Sequence, residues 1–379
     1  MDLLATAMVS ALGYDVHTAC AAARAGLARP SELPFLTLEA DRSPGLATGH
    51  VARLLTDGFD GDARLVRLMC GALDDLRTQV PPQLLADTRT GFYLSIPAAD
   101  REWQGLGLMA TDERRERHLE QIGTPPSIDE ATRGAALLGD ALKLARYPEA
   151  VRAAARTVRV SAVGHAGTAA LCHRAARDLE SGTIDMAVIG AVDSLAGHRT
   201  LTWLSATGRL KSAESPAGLA PGEAAAFLLF AAAGRLPWAE IPARASLDTV
   251  TLRVSDVQLL DGGQADGRAQ AEIVRELTGS LGVADTDWVV TDQNGELFRA
   301  VDWGTGLTRL RGAGVTIRDS ASIWYPASSF GDTGAAAGAV ATCIASEALL
   351  RGYARERHAI LLASSDGAAR AGWILSTRN

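Results

Sequence analysis

A chain of 379 residues exceeds what one hydrophobic core usually supports, so two domains or a duplicated unit are expected. With 47% hydrophobic residues, 21% charged residues and no long polar tract, it is neither disordered nor fibrous. The net charge of −7, with arginines scattered among acids, leaves no basic stripe for nucleic acid, and no apolar run approaches the roughly 20 residues that span a bilayer.

In chain order, "MDLLATAMVSALG" is apolar enough to suggest a signal peptide. It lacks a basic start and runs into Gly13, so it is read as a first strand. Buried-strand runs follow at "TGFYLSI" (90–96), "VRVSAV" (158–163), "DMAVIGAV" (185–192), "AAFLLF" (225–230), "DWVVT" (287–291) and "AILLAS" (359–364). Alanine- and leucine-rich helical stretches separate them, which favours an α/β architecture. Residues 97–150 are irregular and charged before a helix at 129–146, and read as an inserted excursion. Within them "DERRERHLEQ" (112–121) is a solvated helix face or a partner-docking surface. Cys20, Cys70, Cys172 and Cys343 fit neither a disulfide framework nor a metal ligand set, so reduced, buried thiols in a cytoplasmic protein are expected. Neither a metal nor a cofactor is expected.

A weak internal repeat carries more information than any single run. Residues 164–194 and 330–367 share one plan: a glycine-bounded corner, a small-residue helix, a glycine stop and a buried strand. Two similar halves follow, with small residues letting both helices be sandwiched between other layers. The first corner, "SAVGHAGTAALCHRAARDLESG", has the shape of a nucleophile turn, but His165 stands at it. Thr168 lies one turn on, and Cys172 lies two turns down the helix as a buried structural thiol.

Four blocks resemble the β-ketoacyl synthase branch of the thiolase-fold superfamily along almost the whole chain. They are "ATAMVSALGYDVHTACAAARAG", "RDLESGTIDMAVIGAVDS", "LSATGRLKSAESPAGLAPGEAAAFLLF" and "SSFGDTGAAAGAVATCIASEAL". The resemblance implies a thiolase-like helix-sheet-helix-sheet-helix sandwich, with an N-terminal half over 1–240 and a C-terminal half over 241–379. Such synthases use a Cys-His-His set. Alignment on the blocks places His165 at the cysteine and Asp292, beside Gln293, at the first histidine. Asp332 falls at the second histidine, and Asp366 at the phenylalanine of the gating loop, in "SSDGAARAG". "HTACAAA" mimics the nucleophile motif at Cys20, but no buried strand precedes it.

An imidazole cannot hold a stable acyl-enzyme, so condensation is not expected. Two carboxylates facing a developing enolate would oppose decarboxylation as well. His165, Asp292 and Asp332 are then a hydrogen-bonded cluster in a disused pocket, a metal site, or an altered acid/base site. Thr168, Gln293, Glu223 and Asp366 are candidate pocket residues, with Glu223 the candidate anchor before a buried strand. Two functions compete. One is a scaffold or partner subunit, paired as a homodimer or heterodimer with a synthase-like chain and serving an acyl carrier protein or a secreted effector. The other is an acyltransferase or hydrolase using His165 with Asp292 or Asp332.

Overall fold

The computed structural model describes residues 1–379 except 40, 88, 236–240, 284, 287, 318–322, 355 and 379, and it leaves out the side chain at 285. Its strands are β1 (Asp2–Ser10), β2 (Ser31–Leu38), β3 (Pro44–Gly49), β4 (Thr90–Ser95), β5 (Arg159–Ser161), β6 (Met186–Ser194) and β7 (Glu223–Ala231) in the first part of the chain. The second part holds β8 (Ala245–Val254), β9 (Asp285–Thr286), β10 (Val289–Thr291), β11 (Thr316–Ile317), β12 (Ile323–Trp324), β13 (His358–Ser364) and β14 (Ala369–Ser376). Ten of them form one hydrogen-bonded series, β12-β10-β13-β14-β8-β1-β7-β6-β4-β5.

That series is two five-stranded halves built alike. Outward from the middle, β1-β7-β6-β4-β5 and β8-β14-β13-β10-β12 each make two antiparallel pairings followed by two parallel ones. Among the described residues the strands of the two halves pair only where Asp2 and Leu3 face Ser246 and Ala245. Strands β1, β6 and β7 are buried along their whole length, because each is covered by helices on both faces. Their near-continuous apolar sequences are the consequence. Among the described residues the outermost strands, β5 and β12, each leave an unpaired edge.

The helices Gly167–Glu180 and Ala337–Leu350 form the central layer. The first packs on β4 and β6 and also on β8 and β14; the second packs on β7 and β1 and also on β13 and β14. Every residue from Gly338 to Leu349 is buried, which is why this helix is built of alanine, glycine and other compact residues. A Cβ added at Gly338 would lie 2.9 Å from that of Thr168, so the crossing of the two helices depends on the missing side chain. Outer layers close the sandwich. Helices Gly61–Arg77, Glu130–Leu144 and Pro148–Thr157 cover one half, and Arg268–Leu281 with Leu297–Gly312 cover the other. The hairpin β2–β3 and the helix His198–Ala206 share a smaller apolar cluster beside them, around Trp203 and Leu204.

The architecture is the expected α/β sandwich with two similar halves. The expected boundary after residue 240 falls on 236–240, outside the described residues. The strand expected over 158–163 pairs only at Arg159–Ser161, because the chain turns into the Gly164 corner immediately afterwards. Of "DWVVT", Val289–Thr291 form β10, and Asp287 lies outside the described residues. The segment 97–150 is more regular than its composition suggests. It holds the helices Asp112–Ile122, capped by Thr111, and Glu130–Leu144, capped by Asp129.

Candidate functional site

The two repeat copies meet at their corners. Gly164, at φ 77°, opens a 3₁₀ turn Gly164–Ala166 leading into the first central helix; Gly334, at φ 51°, opens a matching turn Gly334–Ala336 leading into the second. Both positions need the left-handed backbone that glycine adopts without penalty. The junction brings His165 and Asp332 together, Nε2 to Oδ1 at 2.8 Å, with both side chains almost fully buried. Asp332 also accepts from the Gly334 N–H at 2.7 Å and from the Asn294 side-chain amide at 2.5 Å.

Asp292 does not join this pair, because Arg299 stands between them. Its Nη1 donates to Asp292 Oδ2 at 3.1 Å, while Nη2 lies 3.3 Å from His165 Nδ1 and 3.5 Å from Nε2, and donates to Asp366 Oδ1 at 2.9 Å. Asp292 is further held by the Ser364 N–H at 2.6 Å. The guanidinium therefore occupies the point on which three expected ligands or catalysts would converge. Arg209 extends the cluster, donating to Glu296 at 2.6 and 3.0 Å and to Asp366 at 2.8 Å. Four carboxylates (Asp292, Glu296, Asp332 and Asp366) thus share two guanidiniums, leaving two surplus negative charges, or one if His165 is protonated. The carboxylates expected to face the pocket unopposed are largely neutralised by these arginines. No group of three His, Cys, Asp or Glu among the described residues is placed to hold a metal ion.

Burial alone would pull the His165 imidazole down. The charge and hydrogen bond of Asp332, helped by Asp292, outweigh burial and the opposing Arg299, so its pKa lies above the ordinary 6.5. Asp332 is pushed up by burial but held far below the usual carboxylate range by His165, Arg299 and Asn294. Asp366 is likewise held low against burial by Arg209 and Arg299. If the neutral ring donates from Nε2 to Asp332, its lone pair is on Nδ1 and is taken by Arg299; the cationic ring has no lone pair. Neither form offers a free base to the space beyond.

That space is a cavity of about 410 Å³. His165, Asp332, Asp366, Arg209 and the Arg101–Asp193 ion pair line its polar side, and Leu195, Trp203, Leu204, Leu219 and Leu260 its apolar side. Val163, at the end of the β5 edge, is 47% exposed and forms part of the wall.

The other sequence-derived candidates lie apart from this cavity. Thr168 is buried against Gly338 between the central helices. Gln293 donates to the backbone carbonyl of Arg299 at 3.0 Å and so ties down the arginine's helix. Glu223 accepts from the Ala52 N–H, Thr56, Arg64 and Ser194 at 2.6–2.8 Å, an anchor for β7. Cys172 is buried, and its thiol is pushed up to about 12 by desolvation; Cys20 is also buried and driven up. Arg299 and Arg209 were invisible to motif reading. The usable signal was an arginine set among Leu297, Phe298, Ala300 and Val301, a helix segment too apolar to leave a charge unpaired.

This architecture is the thiolase-like fold of ketosynthases. The chain is similar over its full length to the oxazolomycin ketosynthase domain of Streptomyces albus JA3453, with 16% identity, a TM-score of 0.70 and 74% of that domain covered. It is equally similar to the ishigamide ketosynthase/chain length factor, at 15% identity and a TM-score of 0.70, with all of this chain and 99% of that one covered. A type II polyketide ketosynthase in complex with its acyl-carrier protein and bound to the hexaketide matches over 100% of this chain and 99% of that one, at 13% identity and a TM-score of 0.63. No family model and no curated protein matches the sequence.

Proposed function

We propose that this protein is a non-condensing ketosynthase-fold subunit that works by pairing with a synthase-like chain, or with itself, and shaping a pocket. One observation carries the reading: the corner where a nucleophile would stand holds His165, whose Nε2 is bound to Asp332 and whose Nδ1 faces Arg299, so that neither the neutral nor the cationic ring has a free lone pair. A saturated imidazole neither attacks a thioester nor activates water. The unpaired β5 edge supports pairing. Self-pairing about a two-fold would use the idle backbone groups, and Val163 would bring the cavity wall to the interface. An interface of obligate type buries roughly 2,000 Å² or more. The neighbour described as a ketosynthase/chain length factor is a precedent for such pairing, and the one in complex with an acyl-carrier protein suggests a carrier as third party.

The test is incubation with acyl-CoA and acyl-carrier thioesters, following intact mass and thioester loss together, alongside sedimentation at micromolar concentration. We expect no hydroxylamine-sensitive adduct, no turnover above buffer and a dimer or a recoverable hetero-partner. A monomer without a partner, or a stoichiometric adduct, overturns the reading.

The open cavity beside His165 favours a second reading, an altered hydrolase. Turnover lost in His165→Ala and Asp332→Asn would establish it. A secreted effector as partner is a further variant, tested by co-purification with a candidate effector.

A further inference from the structure

The charged run at 112–121 folds into a helix that sorts its charges. Arg114, Arg117, His118 and Gln121, spaced i, i+3, i+4 and i+7, line one groove, whereas Glu113, Glu116 and Glu120 repeat at i, i+3 and i+7 along a different stripe. A merely solvated helix gains nothing from such sorting. The opposite wall is the helix His198–Ala206, which contributes His198, Arg199, Thr202, Ser205 and Ala206, with Phe35 of the hairpin at one end. The groove encloses about 470 Å³, and no carboxylate lines it among the described residues.

Its cations are poorly neutralised. Arg114 makes no ion pair among the described residues. Among the described residues Arg199 donates only to the Ile122 carbonyl, at 3.3 Å, and lies 5.9 Å from the Trp103 ring centroid. Arg117 has only the exposed Glu113 at 2.7 Å, a rim contact worth little in water. His118 is buried with Nε2 on the Glu102 carbonyl at 2.8 Å, and its Nδ1 has no partner among the described residues. By contrast Arg64, Arg101, Arg133, Arg209 and Arg299 are all paired with carboxylates. Phe35 and Ala206, both half-buried, add an apolar element to the lining, and Ile122 is buried beneath it.

We infer that this groove docks an acidic amphipathic helix of a partner protein. The helix would set carboxylates at i, i+3 and i+4 against Arg114, Arg117 and Arg199, with apolar residues over Phe35 and Ala206. A local positive groove on a chain of net charge −7 suits a short acidic segment, because a long polyanion would meet repulsion on every side. The inference rests on the partner-subunit reading but concerns a face separate from the β5 edge. Inside, the same helix His198–Ala206 presents Trp203 and Leu204 to the cavity, so the docked partner would sit one helix away from it.

The experiment uses the full chain and two lactam-bridged fluorescent peptides, one with leucines and four glutamates at i, i+3, i+4 and i+7, the other with glutamine in their place. By anisotropy at low salt, the glutamate peptide should bind at least about tenfold more tightly than the glutamine peptide and weaken as salt is raised. Arg114→Glu with Arg199→Glu should abolish the difference, while the more conservative Arg114→Gln with Arg199→Gln should reduce it. Hydrogen exchange should slow in helices 112–122 and 198–206 on binding. Equal affinity for the two peptides, or no loss in the charge-reversed variant, overturns the proposal, as does stronger competition from a duplex oligonucleotide than from excess peptide. A wild-type sedimentation coefficient in both variants separates failure here from failure of the pairing reading.

Discussion

The two corners share a backbone and differ in everything their side chains do. At the first, the turn Gly164–Ala166 places His165 against a cavity, and the following helix keeps an exposed face with His173 and Arg174. At the second, Asp332 precedes the turn Gly334–Ala336, and the helix beyond it is buried from Gly338 to Leu349. Close packing fixes the backbone at both places, because central helices that touch both halves of the sheet need small residues where they cross. Side chains facing a cavity are free of that constraint. There Arg209 and Arg299 gather Asp292, Glu296 and Asp366 into a salt cluster around His165 and Asp332.

The largest expected effect tests whether the cluster is a structural unit. Arg299→Met leaves Asp292 and Asp366 each short of a partner in a buried setting, which should cost about 3–5 kcal/mol. Urea unfolding followed by tryptophan fluorescence would read it. A loss below about 1 kcal/mol would mean that the carboxylates find other partners.

Next in size is the contrast between the corner glycines. A Cβ at Gly334 would lie 2.1 Å from Asp193 Oδ2, a carboxylate pinned by Arg101 and by the Ala335 N–H. One at Gly164 would have only Ser365 nearby, at 3.5 Å. Gly334→Ala should cost about 2–4 kcal/mol through clash and backbone strain, and Gly164→Ala about 1 kcal/mol through strain alone. Equal losses would break the contrast.

The His165–Asp332 pair sets a pH window. His165 titrates above 6.5 when folded, so its contribution is complete below pH 6.5 and is lost as pH rises through the folded value. Asp332 titrates below 3.8 when folded, so its contribution is present above pH 3.8 and is lost as pH falls toward the folded value. The pair therefore stabilises most between about pH 3.8 and 6.5, and Asp332→Asn should flatten both limbs of the stability profile. An unchanged alkaline limb would assign the effect elsewhere.

The smallest expected effect concerns the thiols. All four cysteines are buried, and that of Cys172 is pushed up to about 12. An aromatic disulfide reagent should label essentially none in the native protein and all four after denaturation. Rapid native labelling of Cys172 would reopen it as a nucleophile beside the first corner.

Much of this was legible in sequence, for physical reasons. Runs such as "DMAVIGAV" and "AAFLLF" announce strands covered on both faces, and the glycine-bounded corners announce the repeat. His165 was found by counting back from the Ser181–Gly182 stop, and Asp332 from its register with Gly331, Thr333 and Gly338. The alternating "ASLDTVTLRV" of β8 was readable as a half-exposed strand but went unassigned. Arg209 and Arg299 were not readable from any motif. They reach the site from 44 and 134 residues away from His165, and only the fold decides which charges become neighbours. Asp292 reaches the same cluster as His165, but through Arg299, a residue absent from the motif.

The β1–β7 pairing has a consequence for synthesis. Strand β1 spans residues 2–10, yet it pairs with residues 224–231 and touches 245–246. At about 5–20 residues per second, roughly 10–50 s pass between translation of the strand and of its mate. For that interval nine residues destined for the fully buried middle of the sheet have no partner strand to join. The burden of keeping this segment from aggregating falls on the ribosome exit region and on chaperones. Slowing translation ahead of residue 224 should therefore lower the soluble yield more than the same delay placed after residue 246.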